Sequence, residues 1–194
     1  MKIGKGDVAY ILILSLIISI STGILYYYKT GFFAEKPLLF VFYGKNCSSC
    51  QEFIEYAKEK LGRMGYSIIV YSIDANATGK RLFEEITSMG IPSIMPLSIV
   101  TVSDEVKAIV LGAFQGDKLW LFIKEDLSGL KNIVPVYSHG EPVGFVKSDD
   151  CMRKTFYKEL YTGTPGMISS QCGGLEKYSY VYTGAPPHKI FNPP

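Results

Sequence analysis

Apolar and polar positions alternate in two different periods along the middle of this chain. The run Leu38-Leu39-Phe40-Val41-Phe42-Tyr43 is short, aromatic and β-branched, as a buried strand should be. Apolar residues at 53, 54, 57, 61 and 64 then recur at helical spacing. The same reading continued gives a strand at Leu38–Tyr43, a helix at Cys50–Leu61, a strand at Ser67–Ile73 and a helix at Gly79–Met89. Strands at Leu97–Val102 and Val106–Leu111 and a helix at Asp117–Lys124 follow. A parallel β-α-β unit followed by a hairpin and a closing helix predicts an α/β fold with a mixed sheet flanked by helices. Leu82, Phe83, Ile86 and Met89 share one helical face, and Leu119, Trp120, Phe122 and Ile123 share another in part. These are read as core, with no chemical role for Trp120.

The first part of the chain follows neither period. From Val8 to Tyr28 no side chain is charged, and at 1.5 Å per residue the stretch spans roughly 30 Å, the thickness of a bilayer's hydrocarbon. It reads as one transmembrane helix, flanked by Lys2 and Lys5 on one side and by Tyr26-Tyr27-Tyr28-Lys29 on the other. A cleaved signal peptide is the rival, but the apolar stretch is long for one and Phe32-Phe33-Ala34 makes a poor cleavage site. Residues 1–7 are then a short flank, 8–28 the anchor, 29–36 a linker and 37–129 the domain. Residues 130–194 form an extension packing on or beside it. The extension carries most of the ten prolines, six of the tyrosines and many glycines, with helical spacing only near Met152–Leu160. Ile133–Tyr137 and Tyr178–Tyr182 read as strands or edge segments, and the prolines at 186–187 and 193–194 as an extended tail.

The chemistry sits where the first strand meets the first helix. Cys47-Ser48-Ser49-Cys50 places two thiols at the helix N-terminus, where unpaired N–H groups and the positive end of the dipole favour a thiolate. Cys47 is the exposed nucleophile and Cys50, one turn deeper, the resolving thiol. A zinc site normally takes a second Cys pair or a His pair. The chain has four cysteines and two histidines, and its other cysteines, Cys151 and Cys172, lie far away without that spacing. His139 and His188 read as loop histidines. A structural disulfide at Cys47–Cys50 stays open beside the redox reading.

Over Leu38 to Lys124 the sequence resembles the thioredoxin family. The dithiol carries the resemblance together with Met95-Pro96-Leu97-Ser98-Ile99-Val100, which looks like the family's cis-proline strand, and the gapless continuation through Gly112 to the helix near Lys124. The resemblance implies a thioredoxin-like fold and thiol–disulfide oxidoreductase activity without an organic cofactor. Pro96 would then be the cis-proline beside the substrate edge; Pro92 is its rival. The chain departs from the family pattern at Asn46 and Ser48-Ser49, where the family has Trp and Gly-Pro. It departs again at Val41 and Val70, where the family has a buried acid and its lysine partner. Those groups handle the proton of the resolving thiol, so the redox poise does not follow from the motif.

Cys151 and Cys172 suit a structural disulfide that would stabilise a loop-rich segment by roughly 3 kcal/mol. A second redox pair exchanging with Cys47–Cys50 is the functional alternative. Four cysteines behind an apolar anchor fit an extracytoplasmic domain on a single-pass cell-membrane protein. The lysines flanking the anchor balance, and leave orientation to that argument. Its partners are expected to be cysteine-containing exported proteins and a redox partner, in the membrane or outside it, with the bilayer held through residues 8–28. The formal charge of +2 and the absence of a basic cluster exclude nucleic acid as a partner. Two further readings are a non-catalytic interaction module on the same fold, and a copper-handling thiol protein, for which Met89 and Met95 would be soft ligands.

Overall fold

The computed structural model describes Ser15, Ile18, Ser19, Ser21, residues 36–126, residue 130 and residues 132–183. The chain divides into a unit of Met1–Glu35 and a unit of Lys36–Pro194. In the first, the four described residues are helical, and the Ser19 hydroxyl donates to the Ser15 carbonyl at 2.8 Å. The rest of the expected flank, anchor and linker lies outside the described residues. So do His188 and the proline tail. Among the described residues no helix is long and apolar enough to cross a membrane.

The second unit is built on one seven-stranded sheet. In chain order its elements are β1 (Leu38–Tyr43), α1 (Ser48–Tyr56, prolonged by a π-helical turn at Ala57–Leu61), β2 (Ser67–Ser72) and α2 (Ala77–Ser88). Then come β3 (Leu97–Val102), β4 (Glu105–Leu111), α3 (Asp117–Asp126), β5 (Ile133–Ser138) and β6 (Glu141–Lys147). Among the described residues α4 (Asp150–Thr162), α5 (Met167–Gln171), a 3-10 turn and β7 (Tyr180–Tyr182) complete the order. The spatial order is β2-β1-β3-β4-β5-β6-β7. β1 runs parallel to β2 and antiparallel to β3, with Val41 beside Val70 on one side and beside Ser98 on the other. β3 and β4 form a hairpin whose turn residues, Ser103 and Asp104, both have positive φ, the geometry that matches strand twist.

Alternation along β1 decides the two layers. Leu39 and Val41 face α1 and α3, where Phe53, Leu61, Trp120 and Ile123 close one core. Phe40 and Phe42 face the other way, onto Leu82 and Ile86 of α2 and Phe156 and Leu160 of α4. Trp120 is fully buried, as expected of a core residue, and its indole N–H donates to the Phe114 carbonyl.

β5, β6 and β7 all come from the segment after residue 129 and continue the same sheet. The crossover through α3 brings β5 parallel to β4, and the His139-Gly140 turn returns β6 antiparallel to β5. The sequence reading did not find β6, because Pro142 and Gly144 interrupt its apolar pattern. Pro142 lies beside the register shift in the β5–β6 ladder, where a missing N–H costs little. At Gly144 a side chain would collide with the Val181 carbonyl oxygen of β7, so the close approach of that strand requires glycine. α4 begins at a proper cap, with the Asp149 carboxylate accepting from the Met152 N–H at 2.8 Å, and ends at Gly163 in the left-handed region.

Arg153, almost wholly buried, ties the start of α4 to the bottom of the sheet. Its guanidinium donates to the Leu130 carbonyl and to Asp150 and stands 4.0 Å from Glu105, the first residue of β4. Cys151 and Cys172 are bonded at 2.02 Å and close the α4–α5 hairpin across a sequence separation of 21. Opening that loop in the unfolded chain is expected to cost about 3 kcal/mol. Chemical denaturation of a Cys151→Ser/Cys172→Ser double variant, followed by the fluorescence of Trp120, the only tryptophan, should show a loss of that size, and an unchanged midpoint would contradict it.

Candidate redox site

β1 delivers the chain to the top of the sheet, and a short turn, Gly44 to Asn46, hands it to α1. The turn is held twice. The Cys47 N–H donates to the Gly44 carbonyl at 3.2 Å, and the Lys45 N–H donates to the Asp74 carboxylate at 2.6 Å, reaching across from the β2–α2 loop. The β1–β2 ladder continues just beneath, where the Ile73 N–H donates to the Tyr43 carbonyl.

Cys47 occupies the N-cap position itself. Its backbone is extended (φ −101°, ψ 99°) and its sulfur accepts from the Cys50 N–H at 3.2 Å, a place usually filled by a serine or aspartate oxygen. The expected helix start at Cys50 therefore moves back to Ser48. The Ser49 hydroxyl lies 3.4 Å from the same sulfur, and the first turn of α1 contains no acidic residue. A thiolate on Cys47 would meet an amide donor and the positive end of the helix with no carboxylate in that turn opposing it.

The two sulfurs are bonded at 2.08 Å. Cys47 is partly exposed and Cys50 fully buried. One sulfur of the pair is thus reachable by another molecule and the other only from within. Such an asymmetric pair can form a mixed disulfide at one sulfur and resolve it at the other.

The sheet face under α1 is apolar. Val41 and Val70 stand side by side in the β1–β2 ladder, and Val41 is fully buried in the core that Phe53 of α1 completes. The polar side chain next to Val41 is Ser98 of β3, fully buried, whose hydroxyl has no partner among the described residues. Tyr137, on the same face, has its phenol pushed well above the ordinary value by burial and stays neutral. Val41 is therefore packed into the core, and Val70 stands half-buried beside it in β2, with no acid and lysine in their place.

Met95-Pro96 is the cis peptide bond among the described residues, and Pro92 is not cis. β3 starts directly after it, and Leu97 pairs with Phe42, so Pro96 lies at the same end of the sheet as Cys47. The Met95 sulfur lies 3.7 Å from where a Cβ on Gly44 would be, which brings the residue before the proline against the cysteine turn. The Pro96 carbonyl accepts from the Gly112 N–H at 2.8 Å. The structure thus gathers Cys47, Cys50 and Pro96 at one place.

Cys151 and Cys172 are not brought there. β1 ends at the top of the sheet and β6, running the other way, ends at the bottom, where Cys151 opens α4 close to Glu105. α4 and Cys172 also pack on the opposite face from α1. Exchange needs sulfur to attack sulfur in line at bonding distance, so a relay between the pairs within one molecule has the sheet in its way. Met89 is buried in the α2–α4 core, away from the α1 face, and no group of three or more His, Cys, Asp or Glu fit to hold a metal occurs among the described residues. His139 forms the β5–β6 turn. Sequence reasoning missed the Lys45–Asp74 tie, because a backbone donor has no sequence signature.

No family model matches the chain, and no curated protein matches it. Among solved structures it is similar to the germline-specific thioredoxin Deadhead (Thioredoxin-1) of Drosophila melanogaster, with 21% identity over 47% of this chain and 82% of that one and a TM-score of 0.35. It is also similar to the thioredoxin of Malassezia sympodialis (Mala s 13), with 16% identity over 49% of this chain and 80% of that one and a TM-score of 0.33. Likenesses of that size carry no assignment. The β2-β1-β3-β4 order with helices on both faces, the cysteine pair where β1 passes into α1, and the cis-proline that opens β3 together give this part of the chain a thioredoxin-like fold.

Proposed function

We propose that this protein is a membrane-anchored thiol–disulfide oxidoreductase that exchanges disulfides with cysteine-containing exported proteins. The observation that carries the reading is the asymmetry of the pair, one sulfur partly exposed at the helix cap and one buried. In the reducing direction the Cys47 thiolate attacks a substrate disulfide, forming a mixed disulfide and releasing one substrate thiolate. Cys50 then attacks the Cys47 sulfur and releases the second, leaving Cys47–Cys50 oxidised and the substrate reduced by two electrons. The oxidising direction is the same path reversed. Pro96, at the same end of the sheet as Cys47, would border the substrate's extended backbone.

The uncharged stretch Val8–Tyr28 supports the anchor, and the cysteine usage supports an extracytoplasmic domain. A redox partner, in the membrane or outside it, would recycle the pair. The apolar side chains at Val41 and Val70, in place of an acid and a lysine, favour a second reading, a non-catalytic interaction module in which Cys47–Cys50 only braces the turn.

Redox equilibration of the full chain in detergent against glutathione separates the two, with Cys151 and Cys172 followed by differential alkylation in the same samples. Exchange chemistry predicts a reversible potential for Cys47–Cys50 within about −270 to −120 mV. A pair that resists reduction far below that range would leave the binding role instead. In the reduced protein, iodoacetamide should modify Cys47 at least about tenfold faster than Cys50, since only exposed thiolates react readily. With a disulfide-containing polypeptide as substrate, Cys50→Ser should accumulate the mixed disulfide while Cys47→Ser should form none. Equal trapping by both variants would sink the assignment of nucleophile and resolver.

A further inference from the structure

Away from the dithiol, on the other face of the sheet, α2 and α4 meet through two carboxyl groups, Glu85 and Glu159. Glu159 is fully buried and Glu85 partly so. One oxygen of each is satisfied by the turn that links α4 to α5. The Gly166 N–H donates to Glu85 at 2.8 Å, and the Ile168 N–H donates to Glu159 at 2.6 Å. The other oxygens, Glu85 Oε1 and Glu159 Oε2, are buried and have no donor among the described residues. Were both groups ionised, two negative charges would face each other in a low-dielectric contact with two acceptors orphaned. A single proton removes both penalties, since the neutral acid donates its O–H to its neighbour.

The surroundings favour that proton. Burial, with the nearby Glu85 charge adding to it, pushes Glu159 up to about 7, against the opposing pull of the Ile168 and Met167 amides. Burial raises Glu85 as well, opposed by the Gly166 amide, the bond from Glu159 and the Arg81 charge one turn back on α2. The other groups on the packed elements do not face the pair with a charge. Lys80 and Glu84 pair with each other on the exposed side of α2, and Lys154 and Lys158 of α4 are exposed. The Tyr71 phenol of β2, held neutral by burial, donates to the Leu160 carbonyl. Residues 163–171 carry no titratable side chain.

We propose that Glu85 and Glu159 hold one proton between them, and that this proton latches the turn at Gly163–Gly166 and the start of α5 onto α2, so that the turn opens as the proton is lost. The closed latch binds a proton that the open form, its carboxyls in water near 4.5, gives up. Stability of the latch is therefore complete below about 4.5 and falls as pH rises. Opening becomes about tenfold easier per pH unit until about 7, and is level above it, where neither form holds the proton. This device is independent of the redox reading.

Amide hydrogen exchange of the full chain in detergent, followed by NMR between pH 5 and 9 and corrected for the intrinsic pH dependence, tests it. The protection of Gly166 and Ile168 should fall about fortyfold from pH 5 to pH 7 and level off by about pH 8. Glu85→Gln and Glu159→Gln should each show protection that is flat over the same range. If the buried change at 159 prevents folding, Glu85→Gln decides alone, because its amide can donate to Glu159 and make the shared proton unnecessary. Protection that is already level from pH 5 to 7 in the wild-type protein would overturn the proposal. So would a variant that keeps the wild-type fall, or an equal fall at Phe40 and Val41 in β1, which would mark global unfolding instead of a latch.

Discussion

The burial of β1 on both faces and both edges is the constraint on which the rest of this structure depends. Its inner residues, Leu39 to Phe42, are without exposure, and every backbone group there needs a partner from β2 or β3. That demand sets the strand order around it. A helix is required on each face, because Leu39 and Val41 must be covered on one side and Phe40 and Phe42 on the other. Each buried side chain of this size contributes about 1.5–3 kcal/mol, so neither layer is dispensable. The Cys47–Cys50 pair stands where it does because β1 ends there and α1 must turn back to cover it.

From that position follow the properties of the two cysteines. The N-cap residue of a helix over a buried strand projects at the rim, and the residue three positions later points into the layer beneath. Cys47 is accordingly reachable and Cys50 sealed, with the Cys50 amide turned toward the Cys47 sulfur. The turn before them is stiffened from outside its own segment by Asp74. Under α1 the sheet carries valines and one buried serine hydroxyl rather than a carboxylate.

The strands added after residue 129 change the other half of the molecule. They widen the sheet to seven strands and bring α4 onto the face opposite the dithiol, where the Cys151–Cys172 bond and the Arg153 contacts staple the new helices to the bottom of the sheet. The two disulfides thereby occupy opposite ends and opposite faces, one at a rim open to partners and one inside a structural hairpin. Adding α4 beside α2 also created the contact between Glu85 and Glu159, a polar pair inside an apolar layer that only a proton makes comfortable.

Much of the first half could be read from the residues in order. The strand limits Leu38–Tyr43 and Leu97–Val102 emerge from apolar runs bounded by turn residues, and the helices from 3.6-residue spacing. The Cys-x-x-Cys announces its chemistry because its two thiols are neighbours in sequence. Such features depend on contacts within a few residues, which local propensity decides. The resemblance points to Met95-Pro96 over Ile91-Pro92 as the cis bond, and tertiary structure holds it there. Tertiary structure alone decided that Pro142 and Gly144 lie inside a strand, that Lys45 is tied to Asp74, that Cys151 lies far from Cys47, and that Glu85 meets Glu159. Each of these joins residues distant in the chain or depends on what packs around them, and a contact of that kind exists only once the sheet order has placed its two sides together.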